Sequence, residues 1–174
     1  SYRGNALGLL LNLSSIYEPF NYNRKIIAFD TFEGFKNVSL QDPKNASEGD
    51  LDDTDIKIIE DTINAMDFNR PIGHVKKVEL IRGDACTTIP KYIKDNPHLI
   101  VSFLYLDFDI YSPTKVALEN FMSLIPKGGI IAFDELAQKK WAGETIAYKE
   151  LFNIDAFELK KFNFDPHICY LIKK

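Results

Sequence analysis

Six carboxylates stand directly behind four short apolar runs of this chain. They are Asp30 after Lys25–Phe29, Asp84 after Val78–Ile81 and an Arg-Gly pair, Asp107 and Asp109 after Ile100–Leu106, and Asp134-Glu135 after Gly129–Phe133. A strand that forms a core has no structural need to end in an acid. In an open parallel sheet, ligands bind beyond the carboxyl ends of the strands, so acids at these places converge on one rim. A single such acid is explained as a turn or cap residue; six at four strand ends are not.

Asp107-Phe108-Asp109 and Asp134-Glu135 form the sharper constellation. Side chains of an extended chain alternate with period two, so Asp107 and Asp109 point to the same side. Neighbouring carboxylates repel and are costly to bury unpaired, and a cation between them resolves both problems. Oxygen-only ligands select Mg²⁺, Mn²⁺ or Ca²⁺ over zinc, and His74, His98 and His167 are too scattered to argue otherwise. A hard cation lowers the pKa of a hydroxyl it binds, and a remaining carboxylate can take the proton. Solvated acids at two turns are the bland alternative. Asp30 suits both hydroxyls of a ribose, as in dinucleotide sites, with a helix N-cap as its alternative. Asp84, beside Gly83, suits an adenine amino group or else caps a helix around Thr88–Ile93. No Gly-x-Ser-x-Gly elbow, Cys-His neighbour or Gly-x-x-x-x-Gly-Lys phosphate loop supports other chemistry.

The elements that must position these acids are legible in the pattern. The four apolar runs, with Ile168–Ile172 as a fifth, are too short for helices and rich in β-branched and aromatic residues. Their near-continuous apolarity predicts parallel strands covered on both faces. Between them, Ile56, Ile59, Ile63 and Met66 share one helical face, with Asp53 or Thr54 placed to cap it. Ser112-Pro113 reads as an N-cap and first-turn proline, followed by the stripe Val116, Ala117, Phe121 and Leu124 and a stop at Pro126. Further helices are expected over Ala6–Ile16 and Glu144–Phe152. Strands alternating with helices predict an α/β fold with a mostly parallel sheet. Phe157–Phe162 and Ile168–Ile172 are expected to close it as an antiparallel pair. Residues 36–55, carrying Asp42, Glu48, Asp50, Asp52, Asp53 and Asp55, read as a solvated loop whose position also suits a lid.

Composition agrees with one folded domain spanning residues 1–174. The 174 residues are 45% hydrophobic and 26% charged, with a formal net charge of −4. An acidic balance argues against a general nucleic-acid binder. No apolar run is long enough to span a membrane. Two cysteines make no disulfide framework, which favours a reducing, cytoplasmic setting.

The strings IIAFDTFEGF (Ile26–Phe35), IRGDACTTIP (Ile81–Pro90), LYLDFDIYSPTKVALE (Leu104–Glu119) and KGGIIAFDEL (Lys127–Leu136) resemble class I S-adenosylmethionine-dependent methyltransferases. More narrowly, they resemble the macrocin O-methyltransferase (TylF/MycF-type) family of metal-dependent sugar O-methyltransferases. The similarity runs from Ser1 to about Phe152. It implies a Rossmann-like sheet and these roles: Asp30 at the ribose of S-adenosylmethionine, Asp84 and Ala85 at its adenine, and Gly4, closing the segment Tyr2-Arg3-Gly4, at its methionine part. It further implies Asp107, Asp134 and Glu135 as ligands of Mg²⁺, and Asp109 as the base that deprotonates the acceptor hydroxyl. Trp141-Ala142-Gly143 would lie near the acceptor and residues 36–55 over it. The family has Asp-Asp where this chain has Asp134-Glu135. Its first, central strand would precede Ser1, so the resemblance also implies an N-terminally truncated domain.

The expectation is therefore a Mg²⁺-dependent O-methyltransferase acting on a sugar or similar small acceptor, with a homo-oligomer open and no nucleic-acid or membrane partner. One rival is a metal-dependent glycosyltransferase that grips a sugar nucleotide through Asp107-x-Asp109. It gives no reason for Asp30, Asp84 or Asp134-Glu135. A second rival is a non-catalytic domain of the same fold.

Overall fold

A computed structural model of the chain describes residues 4–52 and 55–174. Asp53, Thr54, Tyr2 and Arg3, named above, lie outside the described residues. The chain divides into two compact units: residues 1–34 with 49–84, and residues 35–48 with 85–174.

In the first unit, helix α1 (Asn5–Tyr17) is followed by strand β1 (Ile26–Asp30), helix α2 (Ile56–Asn69) and strand β2 (Val78–Arg82). β1 and β2 pair in parallel, Ile26 opposite Val78 and Asp30 opposite Arg82. Leu7 and Leu11 of α1, Phe32, and Ile59 and Ile63 of α2 form the core, with Ile26, Ala28, Ile56, Met66, Val78 and Leu80 packed against it. The helical face expected over Ile56–Met66 is thus the buried one. α2 is capped by Asp55, whose carboxylate accepts the Lys57 N–H at 2.8 Å. β1 is half-buried along its length and β2 up to its exposed last residue, short of the full coverage expected. A two-stranded pair has no central strand, so each strand keeps an edge.

Gly34, the last residue of this unit before the chain leaves it, has to be a glycine. Its φ is +78°, and a Cβ there would lie 2.4 Å from the Gly49 carbonyl oxygen and 2.5 Å from that of Asp50. Gly34 and Gly49, the residues flanking 35–48, therefore lie side by side in this unit.

The second unit carries α3 (Ala85–Asp95), β3 (Phe103–Leu106), α4 (Tyr111–Phe121), β4 (Ile130–Phe133), α5 (Gly143–Leu151), β5 (Lys160–Lys161) and β6 (Cys169–Ile172). Its four-stranded sheet runs β3-β4-β6-β5. β3 and β4 are parallel, Leu106 opposite Phe133, whereas β6 is antiparallel to both β4 and β5. The expected closing pair is present, its first strand cut to two residues, and β6 inserts next to β4. Leu106, Ile131 and Phe133 are fully enclosed, together with Ala117 and Leu118 of α4 and Ala147 and Tyr148 of α5. Phe133 and Tyr148 meet edge to face with ring centroids 5.7 Å apart. α4 begins one residue before the expected cap: Ile110 holds the N-cap position and gives no side-chain hydrogen bond, so Ser112 and Pro113 lie inside the first turn. The missing cap is supplied from elsewhere, as described below.

This is the α/β, Rossmann-like architecture expected of a class I methyltransferase, with a parallel pair and a mixed sheet. No helix among the described residues is long and apolar enough to cross a membrane.

Candidate active-site residues

The six strand-end acids divide between the two units. In the first, Asp30 is the last residue of β1, and its Oδ1 accepts the Phe32 N–H at 2.9 Å in a short side-chain turn. Phe32 adopts a left-handed φ of 54°. Thr31 Oγ1 completes the turn by donating to the Gly34 carbonyl at 2.5 Å and accepting the Glu33 N–H at 3.2 Å. Among the described residues no helix starts after β1 until Ile56, so the alternative of Asp30 as a helix N-cap does not hold. The Asp30 carbonyl accepts the Gly83 N–H at 2.9 Å, which fixes the exit of β2 beside that of β1. Asp84 follows Gly83, whose φ is +132°. Asp30, closing β1, and Asp84, two residues past β2, thus stand at the same end of one parallel pair. Gly4, with φ of +73°, is the N-cap of α1.

Ala85 opens α3 in the second unit with its methyl group buried, so its backbone is what a ligand would meet.

In the second unit the β3–α4 and β4–α5 connections bring four acids within electrostatic reach of one another. Asp109 occupies the left-handed region with φ of 61°, inside a tight turn closed by Ile110 N–H donating to the Phe108 carbonyl at 2.6 Å. Burial, then repulsion from Asp107, Glu135 and Asp134, pushes its pKa up to about 7. A carboxylate held near neutrality is poised to exchange a proton at working pH. Glu135 is also raised, by burial and by Asp134, against the opposing charges of His167 and Lys140.

Two further residues that the sequence did not single out shape this cluster. The Tyr105 hydroxyl donates to Asp134 Oδ1 at 2.5 Å, and burial together with that bond raises its own pKa. Part of the signal was available: period two along the strands puts Tyr105 on the same side as Asp107, and its partner Ala132 on the same side as Asp134. Asp109 escapes that alternation, because the strand ends at Leu106 and its own φ is left-handed, so the expectation that it points with Asp107 by strand geometry does not hold. Glu144, in the first turn of α5, is fully buried and accepts the Glu135 N–H through Oε2 at 3.0 Å, while its Oε1 has no hydrogen-bond partner among the described residues. Burial holds its carboxyl well above the usual range, with Asp109, Asp134 and Asp107 adding to the effect. Next to it, Thr145 Oγ1 accepts the Ala137 N–H at 2.7 Å. The start of α5 therefore clamps the exit of β4 by two backbone amides. Nothing in the sequence pattern distinguished Glu144 from a surface helix residue.

The loop 35–48 is not uniformly solvated. Phe35 is buried and meets Trp141 edge to face at 5.6 Å, and Asp42 is only 8% exposed.

The donor chemistry of Asp107, Asp134 and Glu135 fits a hard divalent cation, being oxygen only. Among the described residues, no three acid, histidine or cysteine side chains are gathered as a ready metal cage. Holding a cation would thus require these carboxylates to turn toward a common point. For a nucleoside cofactor, the strand-end carboxylates Asp30 and Asp84 offer the acceptors its hydroxyl and amino groups need.

Residues 3–166 match the family model described as O-methyltransferase. Among solved structures, CalS11, described as a calicheamicin methyltransferase, shares 34% identity, with 98% of this chain and 68% of that chain covered, at a TM-score of 0.92. Its apo form, described as a TDP-rhamnose 3'-O-methyltransferase, shares 33% identity over 99% of this chain and 69% of that one, with a TM-score of 0.83. The O-methyltransferase NovP, 18% identical over 99% of this chain and 69% of that one, shares the fold at a TM-score of 0.72. No curated protein matches the chain.

Proposed function

Because the chain belongs to the O-methyltransferase family, and is thereby an S-adenosylmethionine-dependent enzyme, we propose that it methylates a hydroxyl of a sugar with the help of Mg²⁺. The family displaces both rivals, glycosyl transfer and a non-catalytic domain. The names of the CalS11 structures support a sugar acceptor, and the sequence motifs alone support placement in the TylF/MycF-type subfamily. The observation that carries the reading is Asp109, half-buried beside three other acids in a tight turn, with its pKa lifted to about 7.

S-adenosylmethionine supplies an electrophilic methyl group when bound. Asp30 accepts hydrogen bonds from its ribose, Asp84 and the Ala85 backbone hold its adenine, and Gly4 lies along its methionine part. Asp107, Asp134 and Glu135 hold Mg²⁺, with Tyr105 fixing one oxygen of Asp134. Asp109 takes the proton of the acceptor hydroxyl and so leaves its oxygen a nucleophile. Most of the rate comes from orientation and from charge held in place beforehand.

The test is calorimetric titration of S-adenosylhomocysteine with and without Mg²⁺, followed by methyl-transfer assays on nucleotide-linked deoxysugars. Binding of S-adenosylhomocysteine with turnover that chelation abolishes is expected. Turnover indifferent to chelation would remove Mg²⁺ from the reading, and transfer only to non-sugar hydroxyls would remove the sugar.

A further inference from the structure

The turn that carries Asp109 is followed by a helix whose first residue needs a cap, and the cap comes from 69 residues away. Ile110 gives no side-chain hydrogen bond at the N-cap position of α4. In its place Asp42, from the 35–48 loop, accepts the Tyr111 N–H through Oδ1 at 2.7 Å. Its other oxygen, Oδ2, accepts both the N–H and the hydroxyl of Ser39, at 2.7 and 2.8 Å. A carboxylate this buried persists because three donors satisfy it, one of them the positive end of a helix.

A second observation points to the same joint. A Cβ on Gly143 would lie 2.5 Å from Tyr111 N, 2.7 Å from Ile110 C and 2.8 Å from Asp42 Oδ1. Only a residue without a side chain lets the start of α5 pack against this contact. The next two residues, Glu144 and Thr145, are those that hold the Glu135 and Ala137 amides. One joint thus links the loop, the Asp109 turn and the start of the helix that clamps the Asp134-Glu135 exit.

We propose that Asp42 is a positioning residue for the reaction: by capping α4 from the 35–48 loop it holds the Asp107–Ile110 turn, and with it Asp109, in place. This rests on the methyl-transfer reading above. Asp109 sits in a backbone region that costs energy for a residue with a side chain, so the turn relaxes unless its surroundings hold it. Displacing a reacting group by about 1 Å costs roughly 100-fold in rate.

The experiment compares Asp42→Ala with Asp42→Asn in the full chain. Asn keeps an oxygen for the Tyr111 N–H but loses the acceptor for the Ser39 N–H; Ala loses both. For Asp42→Ala we expect kcat to fall roughly 10- to 100-fold, while S-adenosylhomocysteine affinity stays within about twofold and the far-ultraviolet spectrum is kept. Asp42→Asn should restore kcat to within about threefold. Amide hydrogen exchange gives the readout independent of activity: Tyr111 should exchange about five- to tenfold faster in Asp42→Ala and at the parent rate in Asp42→Asn. Unchanged kcat, or kcat and cofactor affinity falling together, or unchanged Tyr111 exchange would each overturn the proposal. A parent chain that neither binds S-adenosylhomocysteine nor transfers methyl would instead overturn the functional reading, and Tyr111 exchange would still decide whether Asp42 holds the turn.

Discussion

The β1/β2 pair and the β3/β4 pair follow one sequence rule, an apolar parallel strand ended by an acid, yet their acids meet different surroundings. After β1, one Asp30 oxygen is occupied by the Phe32 N–H of its own turn, in a strand pair half-buried along most of its length. After β3 and β4, four carboxylates crowd beside enclosed strand ends, and Asp109 rises to about 7. The same residue type is thus suited to hold a polar ligand in one unit and to move a proton in the other. Burial and like-charge neighbours, rather than the identity of the acid, separate the roles.

The sharpest way to break this comparison is to neutralise one acid from each side. Asp109→Asn should lower kcat by about 10²- to 10⁴-fold, the usual contribution of a general base, with S-adenosylhomocysteine affinity near that of the parent. Loss of turnover and affinity together would sink its role. Asp30→Asn, which keeps an acceptor for the Phe32 N–H, should weaken S-adenosylhomocysteine binding by about tenfold or more, the worth of one hydrogen bond to a charged group. Calorimetry of both variants would show whether the two losses stay separate.

The pH dependence follows from the direction of the shift. A base must be ionised, so the rate should fall about tenfold per unit as pH drops below about 7. Mg²⁺ should move that limb to lower pH by favouring the ionised form. Stability changes in the opposite sense. Folded Asp109 keeps its proton up to about 7, whereas the unfolded chain releases it near 3.8, so its ionisation weakens the fold progressively across that window. Asp109→Asn should therefore melt higher than the parent at pH 8 and show no such gain at pH 3.

Smaller effects probe the joint between the acid-bearing turns. Gly143→Ala should cost about 1–3 kcal/mol in denaturant unfolding, the range for forcing extra atoms into a packed site, because its Cβ would strike the Tyr111 and Ile110 backbone. Glu144→Gln should be the mildest. It keeps an oxygen for the Glu135 N–H and removes a carboxyl that burial pushes upward. A melting temperature higher by a few degrees is expected at pH 8, where the buried charge is costly, and none at pH 4. An equal shift at both would show that charge is not the cause.

Much of this was legible from residue order. Strands ending at Phe133 and Ile172, the helical face of Ile59 and Ile63, and the acids behind the strands all follow from periodicity and composition, which are local properties. The cap of α2 is Asp55, one or two residues beyond the Thr54 or Asp53 that the pattern suggests, a shift typical of helix boundaries. For α4 the pattern points to Ser112 as the cap, because a local rule looks for the capping oxygen next to the helix, whereas Ile110 holds that position. Its real source, Asp42, lay in a run of acids that reads as solvent-facing.

What the sequence by itself determined is the alternation of elements and the set of acids at the strand ends, since each depends on neighbours a few residues away. Tertiary structure alone decided which acids crowd together and which stay apart. It also decided that Glu144 and Asp42, unremarkable in the string, are buried against the turns carrying Asp134-Glu135 and Asp109. A pKa and a distant helix cap are properties of what surrounds a side chain, and those surroundings come from residues 9, 29 and 69 positions away along the chain.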